Sequence, residues 1–303
     1  MPIIDDSYQY LYEECMHDLR ELKINDEDTM FHYTSSGGLL GILKGKSIWF
    51  SNIKFLNDEQ EVSYTHKMLL EEIEELSRNQ PSNFLTGLKD YYSPNLKDKS
   101  SNNCNNNIFE SEYYVACFSN NKDSLSLWNY YTKSENSTGY NIEFNKELFI
   151  NSLKLTAMDI HGQVIYDKEK QRRLIKNFLT KFNNSFENTT DRSVISNLCS
   201  KANLIISFYS LFFKHPAFEN EEEYRVLIEK NRINDDKFKC SYREYRDFFI
   251  PYTEKKFIKK CIKSIRISPT QKKQITKDSV ERMLKDFGYK KVPVNNSEIP
   301  LRY

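Results

Sequence analysis

The spacing of apolar residues along the chain predicts alternating helices and strands. Apolar residues recur at helical intervals from Tyr8 to Glu21, so residues 1–28 are predicted to form a leading amphipathic helix whose role is packing. Short runs of β-branched and aromatic residues between turn residues predict strands. The predicted strands are Phe31–Thr34, Ser47–Ser51, Tyr113–Ser119, Gly139–Phe144, Gly162–Tyr166 and Lys263–Ile267.

Helices are predicted between these strands. One begins after the turn Ser35–Gly38, which can cap it, and a long acidic helix begins after the capping residues Asn57 and Asp58. The other predicted helices are the aromatic segment SLSLWNYY, Lys168–Phe182, Ser193–Phe213 and a segment near Ser279–Phe287.

One part of the chain lacks a regular pattern. Residues 79–110 lose their periodicity and include SSNNCNNN, which is typical of a flexible insertion. No internal repeat and no Pro/Gly-rich linker divides the rest. The sequence therefore predicts a single α+β domain over residues 1–303, with inserted helices.

Charge and hydropathy limit the classes of partner. The formal net charge is +1, so no bulk attraction draws the protein to nucleic acid, although a local basic patch stays open. The chain has no apolar run of about eighteen residues, and its start, MPIIDDSYQYLYEE, is acidic where a signal peptide would be basic. We therefore expect a cytoplasmic protein that does not associate with membranes.

Cysteine and histidine spacing gives no support for a metal site. The cysteines form no CxxC pair and the histidines form no HExxH or HxH pattern, so neither a zinc site nor a disulfide framework is predicted. The cysteines stand at positions 15, 104, 117, 199, 240 and 261, and the histidines at 17, 32, 66, 161 and 215.

The stretch FHYTSSGG, which begins at Phe31, contains the first candidate for ligand contact. A histidine among apolar neighbours is usually an ordinary core residue, but His32 directly precedes a Ser-Gly turn and a helix. An imidazole there can donate to a ribose hydroxyl while Thr34 offers a second polar group. Both interpretations of His32, core residue and ligand contact, stay open.

Several short motifs carry a resemblance to a known family. Together they look like the bacterial domain of unknown function family 2971, over a span from about Met30 to the end of the chain. Two positions depart from the family pattern: Gly45 falls one residue early, and Phe218 replaces a more usual tryptophan. The motifs are His32-Tyr33-Thr34, Ile42-Leu43, Trp49 with Ser51, Asn57-Asp58 with Glu61, Cys117-Phe118-Ser119, Trp128 with Tyr131, Glu221-x-Glu223-Tyr224-Arg225 and Ser297-x-Ile299-Pro300-x-Arg302.

A more distant resemblance is to the ADP-ribosyltransferase superfamily. Four features carry it: a strand with His-x-Thr, a helix ending near Ile-Leu, a strand with an aromatic and a hydroxyl, and a late glutamate. The resemblance implies a split, mostly antiparallel β core that binds NAD as a substrate, and a toxin or phage-defence setting. It implies catalytic roles for Glu223, Glu221 and His32, and NAD contacts from His32, Tyr33, Thr34, Ser51, Ser119, Trp128, Tyr131 and Arg225.

The chemistry of NAD cleavage explains why a glutamate is required. Breaking the nicotinamide–ribose bond develops positive charge on the sugar, which a fixed carboxylate stabilises more in the transition state than in the ground state. In ENEEEYRVLIEK, Glu221 and Glu223 share a face if the segment is extended, and an apolar strand follows them. Glu223 is the first choice for the catalytic carboxylate and Glu221 is the second. Arg225 can orient a carboxylate or bind a pyrophosphate. We expect His32 and Glu223 to face one cleft.

Other functions compete with this hypothesis. The same glutamates are often solvated surface, and the aromatic residues of SLSLWNYY at helical spacing are more often core than a stacking wall. Acidic clusters at Asp58–Glu61 and Glu219–Glu223, with Lys214 nearby, are compatible with a metal-dependent nuclease. The third class is a non-catalytic sensor or partner-binding module, which has the pocket without the chemistry. The acceptor of any ADP-ribose is not predicted.

Overall fold

The structure is a computed structural model that describes residues 10, 13–15, 17, 28–55, 59–93, 112–131, 138–155, 160–230, 238–245, 247–269 and 273–300. The strands are β1 (Thr29–Ser35), β2 (Ser47–Asn52), β3 (Glu112–Ser119), β4 (Gly139–Asn145), β5 (Ile160–Gln163), β6 (Glu223–Lys230), β7 (Ser241–Tyr245), β8 (Phe248–Lys256), β9 (Ile262–Ile267) and β10 (Val294–Asn296). The α-helices are α1 (Ser36–Gly45), α2 (Glu59–Asn79), α3 (Asn83–Tyr92), α4 (Leu125–Tyr131), α5 (Lys146–Ser152), α6 (Lys168–Phe186), α7 (Arg192–Phe212) and α8 (Lys273–Asp286). Short 3-10 turns occupy Ile53–Phe55, Pro216–Glu221 and Lys259–Cys261.

Contacts group the chain into two compact units. The first comprises residues 1–24, 57–111 and 163–218, and the second comprises 25–56, 112–162 and 219–303. Each unit is built from segments far apart in sequence, which explains why no linker marks a boundary between them. The prediction of a single domain over residues 1–303 stays a prediction.

The second unit contains an open, mostly antiparallel sheet. The described strands form one ten-stranded sheet along the path β10-β9-β4-β1-β3-β2-β8-β7, with β5 and β6 off that path. β3 pairs with β6 along its whole length. β1 pairs with β3 at Ser119, and β2 pairs with β3 at Val115 and Tyr114. Because β6 occupies one edge of β3, β1 and β2 share the other, and the sheet forks there. This confirms the α+β class with a mostly antiparallel core.

The two faces of this sheet differ in chemistry. Directly opposed residues in antiparallel strands lie on the same face, and successive residues lie on opposite faces. One face carries the main apolar core, which includes Met30, Phe118, Ile142, Tyr224 and Ile265. The other face carries a small aromatic cluster together with polar side chains. Its members in register are Phe31, Glu143, Ser264, Ser119 and Glu223 in one row, and Tyr33, Asn141 and Arg266 in the next.

Local sequence explains the helix that follows β1. Ser35 caps α1 by accepting a hydrogen bond from the backbone N–H of Gly38, as the Ser-Gly turn predicts. A Cβ on Gly38 would lie 2.0 Å from the Thr34 hydroxyl oxygen, so only glycine allows this approach. The Thr34 side chain therefore packs against helix α1 at Gly38.

The first unit is a set of packed helices. Apolar side chains at helical spacing on α6 and α7 are buried, among them Phe178, Phe182, Ile206 and Phe212. Arg172 on α6 pairs with Glu71 and Glu72 on α2. No described helix is long and apolar enough to cross a membrane.

Several predicted boundaries required correction. The first part of the predicted flexible insertion is helix α3, which buries Phe84, Leu85, Leu88 and Tyr92. The predicted strand Gly162–Tyr166 is β5 at Ile160–Gln163. Residues 94–111, the capping pair at positions 57 and 58, and most of the leading helix lie outside the described residues.

The β7–β8 hairpin and β10 were missed. β8 contains Pro251, which the pattern treats as a break, and β7 is a short polar edge strand. β10 has only three residues and is supported by its parallel partner β9. Tertiary pairing, rather than local propensity, forms these elements.

A buried histidine in the first unit is expected to make the folded protein less stable at acidic pH. His66 on α2 is 3% exposed, and its Nε2 has no hydrogen-bond partner among the described residues. Burial lowers the pKa of His66 to about 4, from 6.5. The unfolded chain therefore binds the proton more tightly, and stability is lost as pH falls from about 6.5 to about 4, by up to about 3 kcal/mol.

Replacing this imidazole should remove the effect. We expect His66→Leu to be more stable than the unmutated protein at pH 4.5 and to lose less stability between pH 7 and pH 4.5, measured by urea denaturation at both values. His17→Leu, at an exposed position, is the matched control. An equal pH dependence in His66→Leu and the unmutated protein would contradict the prediction.

Candidate functional site

An open cleft lies on the polar face of the sheet in the second unit. Its volume is about 570 Å³, which lies in the range of small-molecule sites. Five of the eight lining residues are Asn or Ser, two are aliphatic and one is Asp, but the surface that they expose to the cleft is more apolar than polar. The lining residues are Asn121, Asp123, Ser124, Leu125, Ser126, Asn129, Asn220 and Ile299.

The carboxylate of Asp123 holds the wall of this cleft together. One of its oxygens accepts hydrogen bonds from the Trp128 indole N–H at 2.7 Å and the Ser297 hydroxyl at 2.8 Å. The other accepts from the backbone N–H of Glu298 at 2.8 Å, and Arg266 lies 3.9 Å away. A carboxylate that accepts hydrogen bonds from this many donors fixes the positions of its partners. Asp123 therefore joins helix α4 to the C-terminal segment.

An aromatic pair lies behind the same wall. The rings of Tyr33 and Trp128 meet edge to face with centroids 4.7 Å apart, and Trp128 is 1% exposed. The Tyr33 hydroxyl donates to the carbonyl of Asn121 at 2.8 Å and accepts from the N–H of Ser124 at 2.9 Å. Burial raises the pKa of Tyr33 to about 12, so this hydroxyl keeps its proton at neutral pH. Tyr33 thus fixes the loop that lines the cleft.

The junction before β6 closes one end of the loop. The Ser119 hydroxyl donates to the carbonyl of Glu221 at 2.7 Å and accepts from the N–H of Asn121. Glu222 has a φ of 44°, a left-handed conformation that costs energy for a residue with a side chain. Its carboxylate accepts from the Asn121 amide at 3.0 Å, which helps to hold this turn.

Glu223 is paired rather than presented alone. The Arg225 guanidinium donates from Nε and Nη2 to the two carboxylate oxygens of Glu223, each at 3.0 Å. Both residues are buried, at 6% and 2% exposure, and both lie on the polar face of β6. The predicted role of Arg225 in orienting a carboxylate agrees with this geometry.

His32 lies on the opposite face from Glu223. Phe31, Ser119 and Glu223 occupy one row across β1, β3 and β6, so the residue after Phe31 projects to the other side. His32 is paired with Ile142, a core residue, and its ring lies 5.5 Å from that of Phe118. The expectation that His32 and Glu223 face one cleft is therefore wrong.

The environment of His32 is that of a core-face histidine. Its Nδ1 lies 3.0 Å from the carbonyl of Cys117, which is the geometry of a donated hydrogen bond. Burial lowers the pKa of His32, with the Cys117 bond opposing this effect, so the ring is neutral at neutral pH. Thr34 shares this face with His32.

The remaining predicted residues are distributed along the sheet and the loops. Tyr33, Ser119, Trp128, Glu223 and Arg225 are brought together on the polar face or behind the cleft wall.

The other three lie elsewhere. Ser51 is on the polar face but pairs with Val115, near the far end of β3, and accepts from Arg243 at 3.4 Å. Glu221 contributes its backbone carbonyl to Ser119. Tyr131 ends α4, and its side chain lies outside the described part of the chain.

The nuclease alternative gains no support from the described residues. Among them, no group of three or more His, Cys, Asp or Glu side chains is arranged to hold a metal ion. Asp58 and the side chains of Glu59 and Glu61, which that hypothesis used, lie outside the described residues.

Sequence analysis missed Asp123 and the cleft asparagines. The signal present was a polar run, SNNKDS, directly after a buried strand and before a helix, a position where binding loops occur. Abundant asparagine in the whole chain masked it. Asn129 and Asn220 are far apart in sequence and share no motif.

Breaking the buried ion pair should be costly. We expect Arg225→Met to lower the free energy of unfolding by about 3–5 kcal/mol, because it leaves the Glu223 carboxylate buried without that partner. The double variant Glu223→Leu with Arg225→Met should lose less than the single variant, since it buries no charge at this position. Urea denaturation of these two variants, of Glu223→Leu and of the unmutated protein completes a double-mutant cycle for the pair. A loss below about 1 kcal/mol in Arg225→Met would contradict the buried pairing.

Comparison with known proteins gives one family and no closer relative. No curated protein and no solved structure matches the chain. A family model described as a protein of unknown function (DUF2971) matches residues 127–226. This segment includes Trp128 and the Glu221–Arg225 cluster, but neither the His32 motif nor the C-terminal motif. The resemblance to domain of unknown function family 2971 that the sequence motifs carry is thereby shown, over residues 127–226.

Proposed function

We propose that this protein is a ligand-binding module whose site is the cleft beside Asp123. The observation that carries the proposal is the composition of the lining, in which Asn and Ser side chains and a larger share of apolar surface lie around a carboxylate that already accepts several hydrogen bonds. The pairing of Glu223 with Arg225 supports binding over catalysis, because a carboxylate held by two charge-assisted bonds is a weak candidate for stabilising new positive charge. This is the sensor class among the hypotheses from the sequence.

The lining indicates the class of ligand. Among the described residues, no lysine or arginine lines the cleft, so it offers no cation to a phosphate. Amides provide both donors and acceptors, hydroxyls do the same, and Leu125 and Ile299 add apolar contact. These groups suit a neutral, hydroxyl-rich compound such as a nucleoside or a sugar.

A ligand panel tests this function. We expect adenosine or ribose to bind at least as well as NAD in calorimetric titration, because the phosphates of NAD gain no cationic partner in the lining. Ser126→Ala and Asn129→Ala should weaken binding about fivefold or more each, which corresponds to roughly 1 kcal/mol for one lost hydrogen bond.

Matched controls separate the cleft from general effects. Ser241→Ala and Asn79→Ala remove the same side chains at positions outside the lining and should leave affinity unchanged. Equal losses in cleft and control variants, or no binding by any neutral member of the panel, would contradict the proposal.

A second candidate is the NAD-using ADP-ribosyltransferase or NAD glycohydrolase. The observation that favours it is that Tyr33, Ser119, Glu223 and Arg225 lie on one face of β1, β3 and β6, where Ser119 is directly opposed to Glu223. In this proposal Glu223 exchanges Arg225 for the ribose as the glycosidic bond breaks, and His32 takes no part. A toxin or phage-defence role belongs to this candidate, with the acceptor left open.

Release of nicotinamide from NAD tests the second candidate. If Glu223 stabilises an oxocarbenium-like centre, Glu223→Gln should lower turnover by a factor on the order of a hundred to a thousand, with a much smaller change in NAD affinity. Glu221→Gln is the matched control, because Glu221 contributes its backbone carbonyl to the site. Melting curves must show both variants folded. Absence of nicotinamide release by the unmutated protein, with and without cell extract, would exclude this candidate.

A further inference from the structure

The C-terminal segment Ser297–Pro300, here called the strap, crosses the aromatic pair behind the cleft. Its start is anchored by β10, which pairs in parallel with β9, and by the N–H of Ser297, which donates to the carbonyl of Ile267 at 2.8 Å. Beyond that point, hydrogen bonds to Asp123 hold it, and Arg266 lies 3.9 Å from the Glu298 carboxylate. Asp123 accepts from the hydroxyl of Ser297 and the backbone N–H of Glu298.

The strap brings one apolar side chain onto the aromatic cluster. Ile299 is half-buried against the cluster that contains Tyr33 and Trp128, and it also lines the cleft. Its own N–H donates to the Ser297 hydroxyl at 3.1 Å, so Ser297 links both Asp123 and Ile299. The strap thus separates an aromatic surface from the space where the proposed ligand binds.

The hold on the strap is small enough to be reversible. Among the described residues, it consists of hydrogen bonds to the Asp123 carboxylate, a 3.9 Å ion pair between Glu298 and Arg266, and the burial of part of Ile299. Segments held by so few contacts open at a free-energy cost well below that of global unfolding. A ligand that binds the open state better shifts this equilibrium toward opening.

We propose that the strap is a releasable cover over an aromatic subsite formed by Tyr33 and Trp128, and that the subsite takes the planar ring of a nucleoside. This rests on the proposed binding function and specifies its ligand and its regulation. Release of Asp123 from Ser297 and Glu298 withdraws Ile299 and uncovers the Trp128 ring at the back of the cleft. A heterocyclic base then stacks on the indole while its sugar remains among the asparagine and serine side chains, an arrangement that aromatic rings favour with any base.

The fluorescence of Trp128 reports on the strap without any ligand. The chain has two tryptophans, so Trp49→Phe, at a half-exposed position stacked on Tyr252, leaves Trp128 as the reporter. In this background, Ser297→Ala should raise the acrylamide quenching constant at least threefold, and Ile299→Ala serves as the second variant. Glu298→Ala keeps the backbone N–H that bonds Asp123 and removes only the 3.9 Å contact of an exposed carboxylate with Arg266, which contributes little. It is the matched control and should show no rise.

Adenosine binding to the same proteins tests the subsite. Because an opened strap removes the cost of opening from the apparent affinity, Ser297→Ala should bind adenosine at least threefold more tightly than its parent, while ribose affinity stays the same. Unchanged quenching, or increased quenching without tighter adenosine binding, overturns this inference. An equal rise of the quenching constant in the Glu298→Ala control also overturns it. If the parent protein binds ribose and Asn129→Ala weakens that binding, the proposed function stands in each of those cases.

Discussion

The pairing of β3 with three other strands is the constraint on which the rest of this structure depends. β6 occupies one edge of β3, and β1 and β2 divide the other. Since opposed residues share a face, this single register decides for every side chain of these strands whether it joins the apolar core or the polar face. A slip of one residue would exchange Glu223 with Tyr224 and move a charge into the main core.

The polar face remains stable because its buried charges have partners. Glu223 is held by Arg225, and Asp123 accepts from an indole, a hydroxyl and a backbone N–H. Taking such groups out of water is costly, and the hydrogen bonds offset that cost only while the geometry is kept. The polar groups behind the cleft therefore specify a unique arrangement of loop 120–124, helix α4 and the C-terminal segment.

The functional proposals follow from which polar side chains already have hydrogen-bond partners and which residues line the cleft. The carboxylates on this face already have partners, and the amide of Asn121 is held by Glu222 and by the N–H of Asp123, whereas the exposed residue Asn129 lines the cleft. A site with this composition recognises shape and hydrogen bonding more than charge. The strap adds a way to vary the site, because Ile299 packs on the aromatic cluster and the strap is held mainly by hydrogen bonds to the Asp123 carboxylate.

The sequence by itself determined most of the secondary structure and several members of the site. Alternation and capping predicted β1, α1, β2, β3, β4 and β9, because these depend on local periodicity and on short-range hydrogen bonds such as that of Ser35. The motifs around Trp128 and Glu223 were also visible, as were the two roles offered for Arg225.

Only the tertiary structure decided which of these residues meet. The faces of His32 and Glu223 depend on the register between β1, β3 and β6, which pairs Phe31 with Ser119 and Ser119 with Glu223 and leaves no trace in local periodicity. The same holds for Asp123, whose partners Trp128 and Ser297 come from a neighbouring helix and from the C-terminal segment. Local sequence sets each element's conformation, but the contacts between distant segments set the site, because burial and partner geometry exist only in the folded chain.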